Sequence, residues 1–250
     1  SLRAMTTEQL QKIAVMPELS ATYHPQIDGY VLPQSTAQIF AEGQQMPVPL
    51  IVGSNADEGS VLYYLGLPPV DGNEALDPRS VSKWESTLDD AFGANAPDVL
   101  KHYQPGTDDD VVKLAEAMMT DSLFGRHAYY MAGVHGNKMH PAYLYFYERR
   151  PPPADQTIGA SHALDLNHVF GGFLPLWPSD ERDTELTNEM QRFWAQFART
   201  GNPNHEGAQN WPAFGESSRE MVFGHERTAD RVVDRKERYE AMRAQQDARV

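Results

Sequence analysis

The chain contains no cysteine, so it can form no disulfide, offer no thiolate nucleophile and build no cysteine metal site. It holds no apolar run near the roughly 18 to 20 residues of a membrane span. Its opening residues, Ser1-Leu2-Arg3-Ala4-Met5, lack the apolar stretch of a secretory signal. Positive charge is scarce. Against 35 Asp and Glu stand 21 Lys and Arg, and the resulting formal charge of −14 repels phosphate backbones and anionic lipid surfaces. Nucleic acid and membrane are therefore not expected partners. Of the 250 residues, 40% are hydrophobic, which is enough for a packed core. Any chemistry must come from Ser, His, Asp, Glu, Lys or Tyr.

Local patterns place the elements. Leu10, Ile13 and Ala14 recur at helical spacing behind Thr6 or Thr7 and predict a helix ending near Pro17. A turn is expected at Asp28-Gly29 and a helix across Thr36 to Glu42. The apolar run Val48-Pro49-Leu50-Ile51-Val52, closed by Gly53, predicts a buried parallel strand at 48–53 with a site loop after it, residues 54–60. Residues 66–140 read as a mainly helical excursion, amphipathic near Trp84 to Phe92. Within it, Asp108-Asp109-Asp110 reads as a helix start rather than a metal site. Ala142 to Tyr147 is aromatic-rich and flanked by prolines, which predicts a second strand.

Leu186, Met190, Phe193, Trp194, Phe197 and Ala198 form one stripe of a helix over Glu185 to Arg199, capped by Asp183 or Thr184 and closed by Gly201. A third strand is expected at Glu220 to Phe223, and the charged tail from Asp230 to Val250 as an exposed helix. Strand, helical excursion, strand, helix is the order of an α/β fold. So short a parallel sheet leaves strand edges that need partner strands.

Four segments carry a resemblance to one family. Gly53-Ser54-Asn55-Ala56-Asp57-Glu58-Gly59-Ser60 resembles the G-x-N-x-x-E-G-S segment of type-B carboxylesterases. His162-Ala163-Leu164-Asp165-Leu166-Asn167-His168-Val169-Phe170 is similar to their histidine segment. Trp194 to Asn204 followed by Trp211-Pro212 resembles their W-x-x-F-A-x-T-G-x-P-N…W-P stretch, and Tyr23 to Gly29 their P-V-I-D-G turn. The matches run in family order over residues 1 to about 225. The resemblance implies the C-terminal half of an α/β-hydrolase domain: a mostly parallel central sheet with helices on both faces, all 250 residues belonging to one catalytic domain.

The resemblance also implies roles. Glu58 stands where the family places its triad acid and His162 where it places the general base. A serine hydroxyl is a weak nucleophile, so an imidazole must take its proton and a carboxylate must hold that imidazole in one tautomer. The order acid then histidine requires the serine upstream of residue 58, yet no G-x-S-x-G occurs anywhere in the sequence. The nearest imitation, Gly215-Glu216-Ser217-Ser218-Arg219, lacks the second glycine and follows the histidine, so Ser217 reads as a turn residue. The serine and the oxyanion glycines are therefore expected on an N-terminal fragment of the same enzyme, present as a second chain.

His168 is the rival base, but the family position is usually aromatic and implies packing. Asp57 and Asp165 are expected to anchor loop amides. Val61, Leu62 and Phe124 are the candidate substrate-binding residues. The first two positions are aromatic in acetylcholinesterases, and aliphatic residues there remove a cation–π contribution of roughly 0.5 to 2 kcal/mol per ring. Small uncharged esters are therefore expected over choline esters, with no cofactor and no metal. The alternative is a cholinesterase-like binding module without activity, and a self-sufficient domain with other acid–base chemistry is a third reading. Retention of Glu58 and His162 argues against the binding module.

Overall fold

The computed structural model describes residues 2–14, 25–64, 80–138, 140–153, 155–172, 178–215 and 218–243. They fall into two compact units, one within Ser1–Gln45 and one within Met46–Val250. The first holds α1 (Thr7–Ala14) and α2 (Thr36–Glu42). Ser35 and Gln38 form a reciprocal capping box at the start of α2, and Gly43 closes it in the left-handed conformation. Before α2, Asp28 Oδ1 accepts the amides of Tyr30, Val31 and Leu32, and these bonds hold its carboxyl below the usual range. Pro17, Tyr23 and His24 lie outside the described residues.

The second unit is built on a four-stranded mixed sheet, in the order β1 (Leu50–Asn55), β2 (Ala142–Tyr147), β3 (Arg219–Phe223), β4 (Thr228–Val232). The first three strands are parallel and β4 returns antiparallel to β3. Around them lie α3 (Glu58–Tyr64), α4 (Val81–Phe92), α5 (Ala96–Leu100), α6 (Val111–Thr120), α7 (Arg126–Lys138), α8 (Leu164–Phe170), α9 (Glu181–Thr200) and α10 (Lys236–Arg243). The described part of the 66–140 segment is helical throughout its regular structure, and residues 66–79 lie outside the described set.

Alternation along β2 sorts the core into two layers. Tyr143 and Tyr147 face α8 and α9 in a cluster with Leu164, Leu186, Met190, Phe193 and Trp211. Ala142 and Leu144 face α7 and α10 with Ala128, Ala132, Phe214 and Tyr239. A third cluster, around Trp84, Leu88, Val111 and Met118, holds the helical excursion together. The T-G-x-P-N…W-P stretch has a structural role here. Asn204 bonds both backbone groups of Trp211, and the indole N–H donates to Leu144 O at 3.0 Å inside the core.

The structure corrects several expectations. The first strand begins at Leu50 and continues through Ser54 and Asn55, because these polar residues keep pairing with Phe146 and Tyr147 of β2. The segment 54–60 is thus strand end, a bridged turn and helix start rather than a loop. Helix α9 starts four residues early, at Glu181, with Asp180 as its cap. Asp183, the buried third residue of the helix, closes the capping box and also takes a bidentate Arg149. The tail after Asp230 is not one exposed helix. It completes β4, and Val233, Tyr239 and Met242 are buried. Arg235 caps the face of Phe146 at 3.6 Å while pairing with buried Glu220 at 2.7 Å, so charged residues of the tail are drawn onto the sheet.

Asp108 and Asp110 serve the backbone: Asp108 accepts Val81 N–H, and Asp110 accepts the amides of Gly106 and Thr107. No group of three or more His, Asp or Glu able to hold a metal ion occurs among the described residues. No helix among them is long and apolar enough to cross a membrane.

Candidate active site

The C-terminal ends of β1 and β2 bring two distant segments side by side, where open α/β sheets place their sites. Beyond Asn55 the pairing continues as one isolated parallel bridge, Asp57 to Ser161. Asp57 N–H donates to Ala160 O at 3.0 Å, and Asp57 Oδ2 accepts Ala160 N–H at 2.7 Å. Gly159 is required beside this clasp: it has φ +63°, and a Cβ there would stand 2.1 Å from Asp57 Oδ2. Ser60 Oγ adds a bond to Ile158 O.

Glu58 and His162 follow these bridged residues directly. Glu58 opens α3, where a carboxylate sits in the favourable field of a helix start. Its Oε1 accepts Asn55 N–H at 2.8 Å and its Oε2 meets His162 Nδ1 at 2.6 Å. Burial pushes the Glu58 carboxyl above its ordinary range, while Asn55 N–H and His162 pull it back down. With Glu58 ionised, Nδ1–H donates to it and Nε2 is left as the basic atom. The imidazole is 44% exposed against 6% for the carboxylate, so the base is reachable from outside while its partner is screened.

Helix α3 is seated by close contact with α6. A Cβ on Gly59 would lie 2.1 Å from Glu116 O, and Gly59 N–H donates to Thr120 Oγ1 at 2.9 Å. Helix α6 runs into a π-helical turn at Asp121–Gly125, whose Phe124 ring packs 5.0 Å from the His162 ring. Val61 and Leu62 are half-buried on α3, in the turn after Glu58. Ser217 lies outside the described residues.

His168 sits away from this pair. It is buried against Tyr147 and Thr187, and desolvation lowers it to about 4. Among the described residues the partners of Asp165 are side chains rather than loop amides: Asn55 Nδ2 at 3.1 Å and Tyr145 Oη at 2.8 Å. Asn55, Tyr145 and the Ser161 carbonyl were not singled out from the sequence. The asparagine of the G-x-N-x-x-E-G-S segment was the one signal available.

An acid–histidine pair at adjacent parallel strand ends, flanked by helices on both faces, defines an α/β-hydrolase fold. The comparisons agree with that class. Residues 2–245 match the model of the carboxylesterase family. Carboxylesterase 1C of Rattus norvegicus is 30% identical over 236 residues, covering 89% of this chain and 42% of the relative. Liver carboxylesterase 1 of Oryctolagus cuniculus is 32% identical over 200 residues, covering 75% of this chain and 35% of the relative. A solved PNB esterase superposes with a TM-score of 0.71 at 27% identity, over 96% of this chain and 49% of that one. This chain belongs to the carboxylesterase family, and it spans less than half the length of these relatives.

Proposed function

We propose that this chain supplies the acid and the general base of a serine-dependent carboxylic ester hydrolase. The reading rests above all on the 2.6 Å contact between His162 Nδ1 and Glu58 Oε2. Nε2 of His162 takes the proton of an incoming serine hydroxyl as its oxygen attacks the ester carbonyl, then returns that proton to the leaving alcohol. Water repeats the sequence to release the acid. Glu58 fixes the tautomer and stabilises the imidazolium that forms. Neither step calls for a metal or a cofactor.

The serine and the oxyanion donors come, in this reading, from an N-terminal fragment of the same enzyme acting as a second chain. The match to less than half of each relative supports this. So does β1, an apolar strand standing at the edge of the sheet. Between α8 and α9 a groove of about 510 Å³ is lined by Tyr145, Val169, Phe170 and Trp194, with Phe170 78% exposed, which is surface that a partner would cover. Small uncharged esters suit the aliphatic Val61 and Leu62 better than cationic esters do.

The test is intact mass spectrometry of the native sample joined to hydrolysis of a short-chain p-nitrophenyl ester, with and without a serine-reactive phosphonate. A co-purifying fragment that takes up phosphonate as activity disappears is the expected result. A 250-residue chain that is folded, alone and unreactive would refute the two-chain enzyme, and glycine or alanine at the elbow of the other half would favour a binding module.

A further inference from the structure

We infer that Asn55 is a positioning residue, whose amide holds the peptide before His162 in line with the carboxylate that its own backbone holds. The inference rests on the reading of Glu58 and His162 as an acid–base pair. Those two side chains come from segments 104 residues apart, and a 2.6 Å contact between them requires both segments to be fixed to a common body. Asn55 is that body. Its backbone N–H fixes Glu58 Oε1 at 2.8 Å, and its Nδ2 donates to Ser161 O at 2.8 Å and to Asp165 Oδ1 at 3.1 Å. One residue at the end of β1 thus links, through its backbone and its side chain, the acid, the residue preceding the histidine and the first turn of α8.

Two further observations favour a directed role over general filling. Both neighbours of Nδ2 are acceptors, so the orientation of the amide is fixed, and Asn55 Oδ1 is buried with no hydrogen-bond partner among the described residues. A buried carbonyl left unpaired is costly, and it persists where the other end of the group is needed. Ala163, just after His162, has φ +67°, a left-handed conformation that a non-glycine residue holds only when its surroundings impose it. The bond to Ser161 O restrains that strained segment. The clasp between Asp57 and Ala160 remains without it, so removing the amide frees residues 161–163 without releasing the whole loop.

Asn55→Asp keeps shape and the backbone bond to Glu58 but sets an acceptor against Ser161 O and a second carboxylate against Asp165. Asn55→Ala removes the donor without adding charge. In the double variant Asn55→Asp with Asp165→Asn, the 55–165 hydrogen bond re-forms with donor and acceptor exchanged, so the repulsion between the two carboxylates disappears while Ser161 O still faces an acceptor. Two readouts are taken on the full chain: the deshielded His162 Nδ1 proton resonance by NMR, and kcat and KM for a p-nitrophenyl ester in the complex with the N-terminal fragment. In all three variants we expect loss or broadening of the resonance and a fall in kcat of about 10- to 100-fold, with KM within about twofold. Thermal unfolding of the double variant should lie between that of Asn55→Asp and that of the unsubstituted chain.

A double variant that recovers both the resonance and kcat would overturn the proposal, because the Ser161 bond would then do nothing. An unsubstituted complex without esterase activity would sink the esterase reading, while the NMR comparison would still decide the role of Asn55.

Discussion

Replacing Glu58 by glutamine separates catalysis from stability at one atom. The substituted side chain keeps an oxygen where Oε1 accepts Asn55 N–H, so the local fold keeps that bond. The other end becomes an NH₂ group facing His162 Nδ1, which the carboxylate now meets at 2.6 Å. Two donors cannot share that contact, so the imidazole must move its proton to Nε2 and accept through Nδ1. The atom that should take the serine proton is then already protonated. A wrong tautomer of this kind costs roughly 10⁴-fold in kcat, equivalent to about 5.5 kcal/mol at 1.36 kcal/mol per tenfold.

Stability should move the other way or not at all. Burial raises the Glu58 carboxyl, so the folded state binds a proton more tightly than the unfolded state does. Its contribution is complete below the unfolded value and is lost as pH rises from about 4.5 through the raised folded value. The Glu58→Gln chain has no such loss. The measurements are ester hydrolysis by the complex and urea unfolding of the chain, each from pH 4 to 8. A Glu58→Gln enzyme within tenfold of the parent would refute the assignment of the acid, and an equal pH dependence of unfolding in both would refute the electrostatic argument.

Three further outcomes follow from the packing. His168 is held near 4 by burial, so between pH 6.5 and 4 the unfolded state takes up a proton that the folded state refuses. Urea unfolding should therefore show a loss of about 2 to 3 kcal/mol from pH 7.5 to 4.5 that is missing in His168→Gln, and an identical loss in both would contradict it. Gly59→Ala puts a methyl group against the backbone oxygen of Glu116 and should cost about 1 to 3 kcal/mol while lowering kcat, since α3 carries Glu58. A neutral effect on thermal unfolding would show that α3 and α6 can separate freely. Arg235→Met leaves Glu220 buried with Arg231 as its remaining cation, at a cost of about 3 kcal/mol. Adding Glu220→Gln should recover more than half of it by chemical denaturation, and no recovery would mean that the stacking on Phe146 carries the effect.

What could be read in the sequence was whatever a local rule dictates. The aromatic run at 142–147 and the Thr36–Glu42 helix were read to the residue, because aromatic β preference, flanking prolines and helix caps each act over a few positions. The limits of β1 and α9 were not, because they are decided by partners far along the chain. Ser54 and Asn55 look like loop residues until β2 pairs with them, and Asp183 looks like a cap until Arg149 reaches it. The tail failed for the same reason. Its charges suggest a solvated helix, but Glu220 and Phe146 give Arg235 a buried place that no local pattern announces.

The site shows the same division with a sharper boundary. Glu58 and His162 were marked by the resemblance of their segments to the family, since taken alone they read as a turn acid and a loop histidine. The groups around them were not, since a hydrogen-bond donor aimed at a carbonyl is chemically ordinary. Only the parallel register that sets Asn55 opposite Tyr147, and the bridge that sets Asp57 opposite Ser161, turn an ordinary amide into a link between two segments. Those registers also account for the electrostatics. They bury Glu58 near Asp165, which raises its carboxyl, and they deliver Asn55 N–H and the His162 ring, which lower it. Any imidazolium formed at His162 therefore finds a screened anion already in place, and the same strand ends that seal the carboxylate from water leave the imidazole half-exposed.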